Sequence, residues 1–323
     1  MKSNNTGPLV SVLMTAFNRE KYIHYAIESV LVQSYKNWEL IILDDNSTDD
    51  TVAIARSFEY DTRIKVYVNE KNLGDYPNRN KAASLAKGKY LKYCDADDFL
   101  FPRCLETFVF LMEKFPEAAV AFTSPLDLAW VAPVCLSPED AFRAHYLGPG
   151  LFTTTPTASF IRKSIFDQMN GFQPLPNISD ALLWFKICGL YSTVLAEFGL
   201  VAWRSHGEQE FIYGSHKPDV LRQHIRIMIE PLMDSDCLLN GAERRQALHN
   251  VTRNCMIEML KDLFKFRWSR SFNIWRSIPK GTSKFRSLLQ RGSYPYRIQC
   301  GGLRSTPNWD LFPEAKLEAL KNE

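Results

Sequence analysis

Four short runs, 9–15, 38–43, 64–68 and 90–94, are apolar and rich in β-branched or aromatic residues, and segments with helical apolar spacing separate them. Strands alternating with helices of this kind need right-handed crossovers, which makes the sheet mostly parallel and gathers the strands' carboxyl ends along one edge. That edge is polar. The first run leads into Thr15-Ala16-Phe17-Asn18, the second into Asp44-Asp45 and the fourth into Asp95-Ala96-Asp97-Asp98. In open sheets ligands sit beyond these ends, so three polar strand tips converge where a ligand is expected. Asn18 is also expected to cap a helix from Arg19, with Ile23, Ile27, Val30 and Leu31 at helical spacing.

Three carboxylates within four positions, Asp95, Asp97 and Asp98, repel one another. Withdrawing them from water uncompensated costs several kcal/mol, so the cluster asks for a cation. Hard carboxylate oxygens suit Mg²⁺ or Mn²⁺, which keep waters and bridge to phosphates. The plainer alternative is a solvated acidic turn. No G-x-G-x-x-G follows the first strand and no Gly-Lys-Ser/Thr loop occurs, which argues against dinucleotide oxidoreductases and P-loop enzymes.

With 323 residues and 46% hydrophobic content the chain can form one large domain plus an accessory part. Seven cysteines without C-x-x-C spacing suggest reduced thiols and a cytoplasmic setting. No apolar stretch of about 18 residues predicts a spanning helix or signal peptide. Segment 124–152 is rich in Pro and Gly and reads as an acceptor loop. Residues 157–162 look extended, 163–169 form a short helix closed by Asn170-Gly171, and 194–204 alternate like strands. Ser179-Asp180 precede the apolar run 181–187, and from 219 the pattern is helical.

The order and spacing of several segments resemble the family 2 glycosyltransferases, inverting nucleotide-sugar-dependent enzymes with the GT-A fold. The segments are Val10 to Asn18, Ser34 to Thr51 with its Asp44-Asp45-Asn46-Ser47 core, Asn72-Leu73-Gly74, Arg79-Asn80, Ala86 to Tyr90 and Asp95-Ala96-Asp97-Asp98. The resemblance implies an α/β GT-A domain over 1–218, with a nucleotide-sugar part at 8–123 and an acceptor part at 124–218. A helical accessory region, 219–323, follows.

By the same resemblance Asp45 accepts from a pyrimidine, uridine before thymidine, while Thr15, Ala16, Phe17 and Asn18 hold the base. Phe17 either stacks on it or packs under the loop. Asp95 and Ala96 meet the ribose or a metal-bound water, Asp97 ligates Mn²⁺ or Mg²⁺, and Arg79 pairs either with the diphosphate or in a surface salt bridge. Asp180 is the base that deprotonates the acceptor hydroxyl, or else a helix-terminal acid. The family's Glu-Asp pair is here Ser179-Asp180, which leaves Ser179 a reduced acceptor role. Trp203 and Arg204 fall in the acceptor segment, and His206 either completes the metal site or is a solvated loop residue.

The expected partners are a nucleotide-sugar donor and a saccharide or lipid-linked saccharide acceptor at the inner face of the cytoplasmic membrane. Segment 261–297 has ten Lys or Arg against the single acid Asp262, interleaved with aromatics. It either meets anionic lipid headgroups, packs on its own domain or joins a second subunit in a homo-oligomer. No nucleic-acid motif accompanies the charge. Two other functions compete: a sugar nucleotidyltransferase, which would need a Gly-rich basic loop after the first strand, and a catalytically silent nucleotide- or carbohydrate-binding protein.

Overall fold

A computed structural model of the chain describes residues 7–123, 133–148, 150–175, 177–204 and 218–278. Its centre is an eight-stranded sheet whose strands, in spatial order, are Ile64–Val68, Trp38–Asp44, Val10–Ala16, Tyr90–Tyr93, Ser159–Arg162, Ala118–Thr123, Ser192–Ala196 and Val134–Leu136. Strands β1 (Val10–Ala16), β2 (Trp38–Asp44), β3 (Ile64–Val68) and β4 (Tyr90–Tyr93) are mutually parallel, as the alternating pattern predicts. Beyond them β8 (Ser159–Arg162) runs antiparallel between β4 and β6 (Ala118–Thr123), and β9 (Ser192–Ala196) is parallel to β6. This mostly parallel sheet with flanking helices and a helical C-terminal part is the expected GT-A arrangement.

Strand β1 is buried almost throughout because both faces of the sheet are covered, which is why its sequence reads as a continuous apolar run. Val10, Val12 and Met14 face a core built with α1 (Ile23–Leu31) and α4 (Cys104–Lys114). Leu13 faces the other core with α3 (Asp75–Leu85), α5 (Pro138–Tyr146) and α7 (Ser179–Leu190). The β1 and β2 tips stay in register to Ala16 and Asp44, so residues just beyond them emerge side by side.

A second, two-stranded sheet pairs β5 (Phe99–Leu100) with β10 (Val201–Ala202), with Ala202 opposite Phe99. It carries residues 203–204 back to the acidic loop that ends one residue before β5.

Two local expectations are corrected. Asn18 does not cap a helix: α1 starts at Ile23, and Tyr22 is its N-cap. Helix α3 begins at Asp75 and takes Pro77 into its first turn, where an N–H would lack a helical partner anyway. Segment 124–152, expected as a loop, contains β7 (Val134–Leu136) and α5. The α5 start has its own signal: Ser137 caps it by accepting from the Asp140 N–H at 3.1 Å, with Pro138, Glu139 and Asp140 in the first turn.

The C-terminal helices Pro218–Met233 and Gly241–Phe264 pack on α5, and Trp268–Ser277 packs on those two. Tyr146 Oη donates to the Met228 carbonyl at 2.9 Å, Arg143 pairs with Glu243 at 2.9 Å, and Asn250 donates to the Tyr146 carbonyl at 3.3 Å. One apolar cluster runs from Leu13 and Tyr93 through Leu232 and Met256 to Ile278, so this region shares its core with the sheet.

Candidate active site

At the tip of β1, Thr15 is half-buried, Ala16 is buried and Phe17 is 43% exposed, so part of its ring faces outward. Asn18 takes a left-handed φ of 51°. Its N–H donates to Ser47 Oγ at 2.8 Å and its Oδ1 accepts from the Thr48 N–H at 2.9 Å, which stitches the β1 tip to the loop after β2.

The first turn of α3 gathers the rest of the site. Asp45, 3% exposed, accepts on Oδ1 from Asn69 Nδ2 at 2.7 Å and the Leu73 N–H at 2.8 Å, and on Oδ2 from the Gly74 N–H at 2.9 Å. Gly74 has φ +85°, a conformation that a side chain would strain, and this aims its N–H at the carboxylate. Next, Tyr76 Oη donates to Asp180 Oδ1 at 3.0 Å. One helical turn on, Arg79 donates to Asp75 at 2.6 Å and grips Asp95 with both terminal nitrogens at 2.5 and 3.0 Å. The guanidinium is buried, so these ion pairs are not surface ones, and its fork is held on carboxylates. Burial works against its charge, but Asp75 and Asp95 together hold its pKa above the ordinary arginine value.

Candidate ligand oxygens of Asp95, Asp97 and Asp98 lie within 4.8 Å of one another. Asp97 also accepts from Arg19 Nε at 3.0 Å, and Ala96 between them is buried. Asp98 is 1% exposed; its Oδ1 accepts from the Arg204 N–H at 3.1 Å, and its buried Oδ2 makes no well-formed hydrogen bond, although the Thr157 hydroxyl favours the charged form of the carboxyl. Burial, then the neighbouring Asp95, pushes the Asp98 carboxyl up to about 8. An orphaned carboxylate oxygen among three acids is short of positive charge, and the all-oxygen donor set fits Mg²⁺ or Mn²⁺. Behind the cluster, fully buried Lys92 donates to the Thr157 and Ser159 carbonyls, and Thr157 Oγ1 accepts from the Asp95 N–H at 3.3 Å.

Asp180 sits in the first turn of α7, where the helix dipole favours an anion. Desolvation nonetheless dominates and lifts its carboxyl to about 6, against the hydrogen bonds from the Ala181 N–H at 2.8 Å and from Tyr76. Its Oδ1 takes both bonds, and Oδ2 accepts from no protein donor among the described residues. A carboxylate with one oxygen pinned and a pKa near neutrality has the properties of a general base.

Ser179 is fully buried with an unpartnered hydroxyl, so the acceptor contact expected of it is corrected: α7 turns that side chain into the core. Trp203 is 54% exposed, and Arg204 lies over the rings of Tyr22, Tyr25 and Phe99. This puts Trp203 and Arg204 at the acidic loop. His206 lies outside the described residues. Four further residues belong to the constellation: Asp98, legible as part of the acidic cluster; Arg19, next to the β1 tip; Asp75; and Tyr76, whose partner is 104 positions away and left no sequence signal.

The model for Glycosyl transferase family 2 matches residues 11–169. Over 236 residues the chain is 39% identical to a Bacillus subtilis protein named as a teichuronic acid biosynthesis glycosyltransferase, TuaG, covering 65% of this chain and 88% of that one. It is 40% identical over 106 residues to Escherichia coli WfgD, a UDP-Glc:alpha-D-GlcNAc-diphosphoundecaprenol beta-1,3-glucosyltransferase, covering 33% of this chain and 42% of that one. The chain spans less than half the length of several such relatives. Among solved structures it resembles residues 1–349 of S. aureus TarS in complex with UDP-GlcNAc, with a TM-score of 0.64, 18% identity, and coverage of 84% of this chain and 81% of that one. At that identity the likeness is one of fold.

Proposed function

The chain belongs to glycosyl transferase family 2, and from that premise we propose that it moves a sugar from a UDP-sugar to a hydroxyl of a saccharide or lipid-linked saccharide, with inversion, in cell-surface polysaccharide synthesis. The observation that carries this reading is the start of α3, where Gly74, Tyr76 and, one turn on, Arg79 touch Asp45, Asp180 and Asp95 in turn. On this reading base, diphosphate and acceptor functions would meet around one helix start.

In this reading Asp45 uses the remaining acceptor direction of Oδ2 for the imide N–H of uracil, and the exposed Phe17 ring covers the base. Uridine is favoured because TarS was solved with UDP-GlcNAc and WfgD is named for UDP-Glc. Asp95, Asp97 and Asp98 would hold the divalent cation, with His206 as a further ligand. When bound, such an ion offsets the charge that builds on the leaving diphosphate. Asp180 Oδ2 takes the acceptor proton while Tyr76 keeps Oδ1 in place. The hydroxyl attacks the anomeric carbon from the face opposite the diphosphate, so configuration inverts. Alignment of the two substrates removes about 7 kcal/mol or more of a bimolecular barrier. The lipid-linked acceptor draws on the WfgD name, which specifies a diphosphoundecaprenol-linked sugar.

The testing experiment is transfer from a panel of UDP-sugars to a lipid-linked saccharide, comparing wild type with Asp180→Asn. Turnover by wild type, with UDP binding but no turnover in the variant, supports the reading. A wild type that binds UDP yet transfers and hydrolyses nothing from any common donor identifies a silent binding protein instead.

A further inference from the structure

The turn between helices Gly241–Phe264 and Trp268–Ser277 exposes Phe264, Phe266, Trp268 and Phe272 at 83%, 78%, 64% and 59% of their surface. Four large rings within nine positions form an apolar patch of a kind that folded proteins rarely leave without a partner. Phe266 has φ +55°, a backbone position that glycine fills without strain and a bulky residue does not. Almost no core packing compensates a ring that is 78% exposed.

The patch is braced. The Arg267 N–H donates to the Asp262 carbonyl at 2.8 Å and the Phe266 N–H to the Leu263 carbonyl at 3.0 Å. The Asp262 carboxylate, 3% exposed, draws in Arg270 at 3.3 Å and Arg267 at 3.9 Å, and Ser271 Oγ donates to the Met259 carbonyl at 3.1 Å. Ser271 and Ile274 form the buried side of the last helix, while Trp268 and Phe272, one turn apart, lie on its outer side.

Charge identifies the occupant. Exposed Lys265 and Arg267 alternate with the rings, and from Glu258 to Ile278 five basic residues stand against two acidic ones, a net of +3. We propose that this turn is an interfacial anchor that seats its rings at the headgroup level of an anionic lipid bilayer, with Lys265 and Arg267 against the phosphates. The proposal deepens the lipid-linked acceptor reading, on which it rests for its purpose. A second copy of the chain is the poorer occupant, because a two-fold contact would press this positive patch against itself. Among the described residues no helix is long and apolar enough to cross a membrane, so the contact is interfacial.

The test is co-sedimentation of the full chain with vesicles of pure phosphatidylcholine, and with vesicles of equal phosphatidylcholine and phosphatidylglycerol, alongside light scattering and hydrolysis of the soluble donor. Wild type should partition onto the anionic vesicles and little onto the neutral ones. Phe266→Gly, which relieves the strained φ and so keeps the fold, and Trp268→Ser/Phe272→Ser should each weaken partitioning, the double variant at least about tenfold. Donor hydrolysis should be unchanged, so the anchor and the transferase readings fail separately. The proposal is overturned if wild type stays in the supernatant, if the variants sediment as wild type does, or if they convert a dimer to a monomer with partitioning unaltered.

Discussion

At Asp180 three influences meet: burial raises the carboxyl to about 6, while the Tyr76 hydroxyl and the Ala181 N–H favour its charged form. The proposed base must be ionised to act, so activity should fall as pH drops through about 6, and a kcat/KM profile over pH 5 to 8 measures that limb. Tyr76→Phe keeps the ring that packs on Phe172 and removes only the donor. Without it the carboxylate is less favoured, so the acid limb should move to higher pH by up to about one unit. A limb that stays in place would mean that the hydroxyl does not set the base. Asp180→Asn should lower kcat by roughly 10² to 10⁴ with UDP affinity kept, as isothermal titration and steady-state kinetics would register.

At the scale of elements the α3 start decides whether the site assembles. Gly74→Ala places a β-carbon at φ +85° and loosens the N–H held on Asp45; an expected loss of about 1–2 kcal/mol is measurable by urea unfolding. Gly171, at φ +61°, is as constrained, since a β-carbon there would meet Asn80 Oδ1 at 2.5 Å. Much of this level was legible in the sequence. Runs of apolar residues ending in Asp44-Asp45 and Asp95 to Asp98 identify parallel strands and their polar edge because strand burial and period are local properties. The α5 helix was hidden because Pro and Gly dominated the reading of 124–152, although Ser137-Pro138-Glu139-Asp140 is a helix start. The pinning of Asp180 by Tyr76 and the inward turn of Ser179 were not legible, since both depend on how α3 and α7 meet across the sheet.

For the molecule as a whole, the apolar cluster shared by sheet and C-terminal helices predicts that the chain unfolds as one unit. Met256 is fully buried in that cluster; Met256→Ala should cost about 2–5 kcal/mol and lower a single calorimetric transition. Two separated transitions would show that the helices fold independently. The same continuity leaves the polar edge as a fixed frame for the gathered carboxylates. The central claim is that these acids, held together by α3, grip a nucleoside diphosphate through a bound dication. The most direct measurement is calorimetric titration of UDP into wild type and Asp97→Asn, each with and without Mn²⁺. The account predicts that Mn²⁺ tightens wild-type binding by about tenfold or more, at least about 1.4 kcal/mol, and leaves Asp97→Asn unresponsive. Equal wild-type affinity with and without the ion would contradict it.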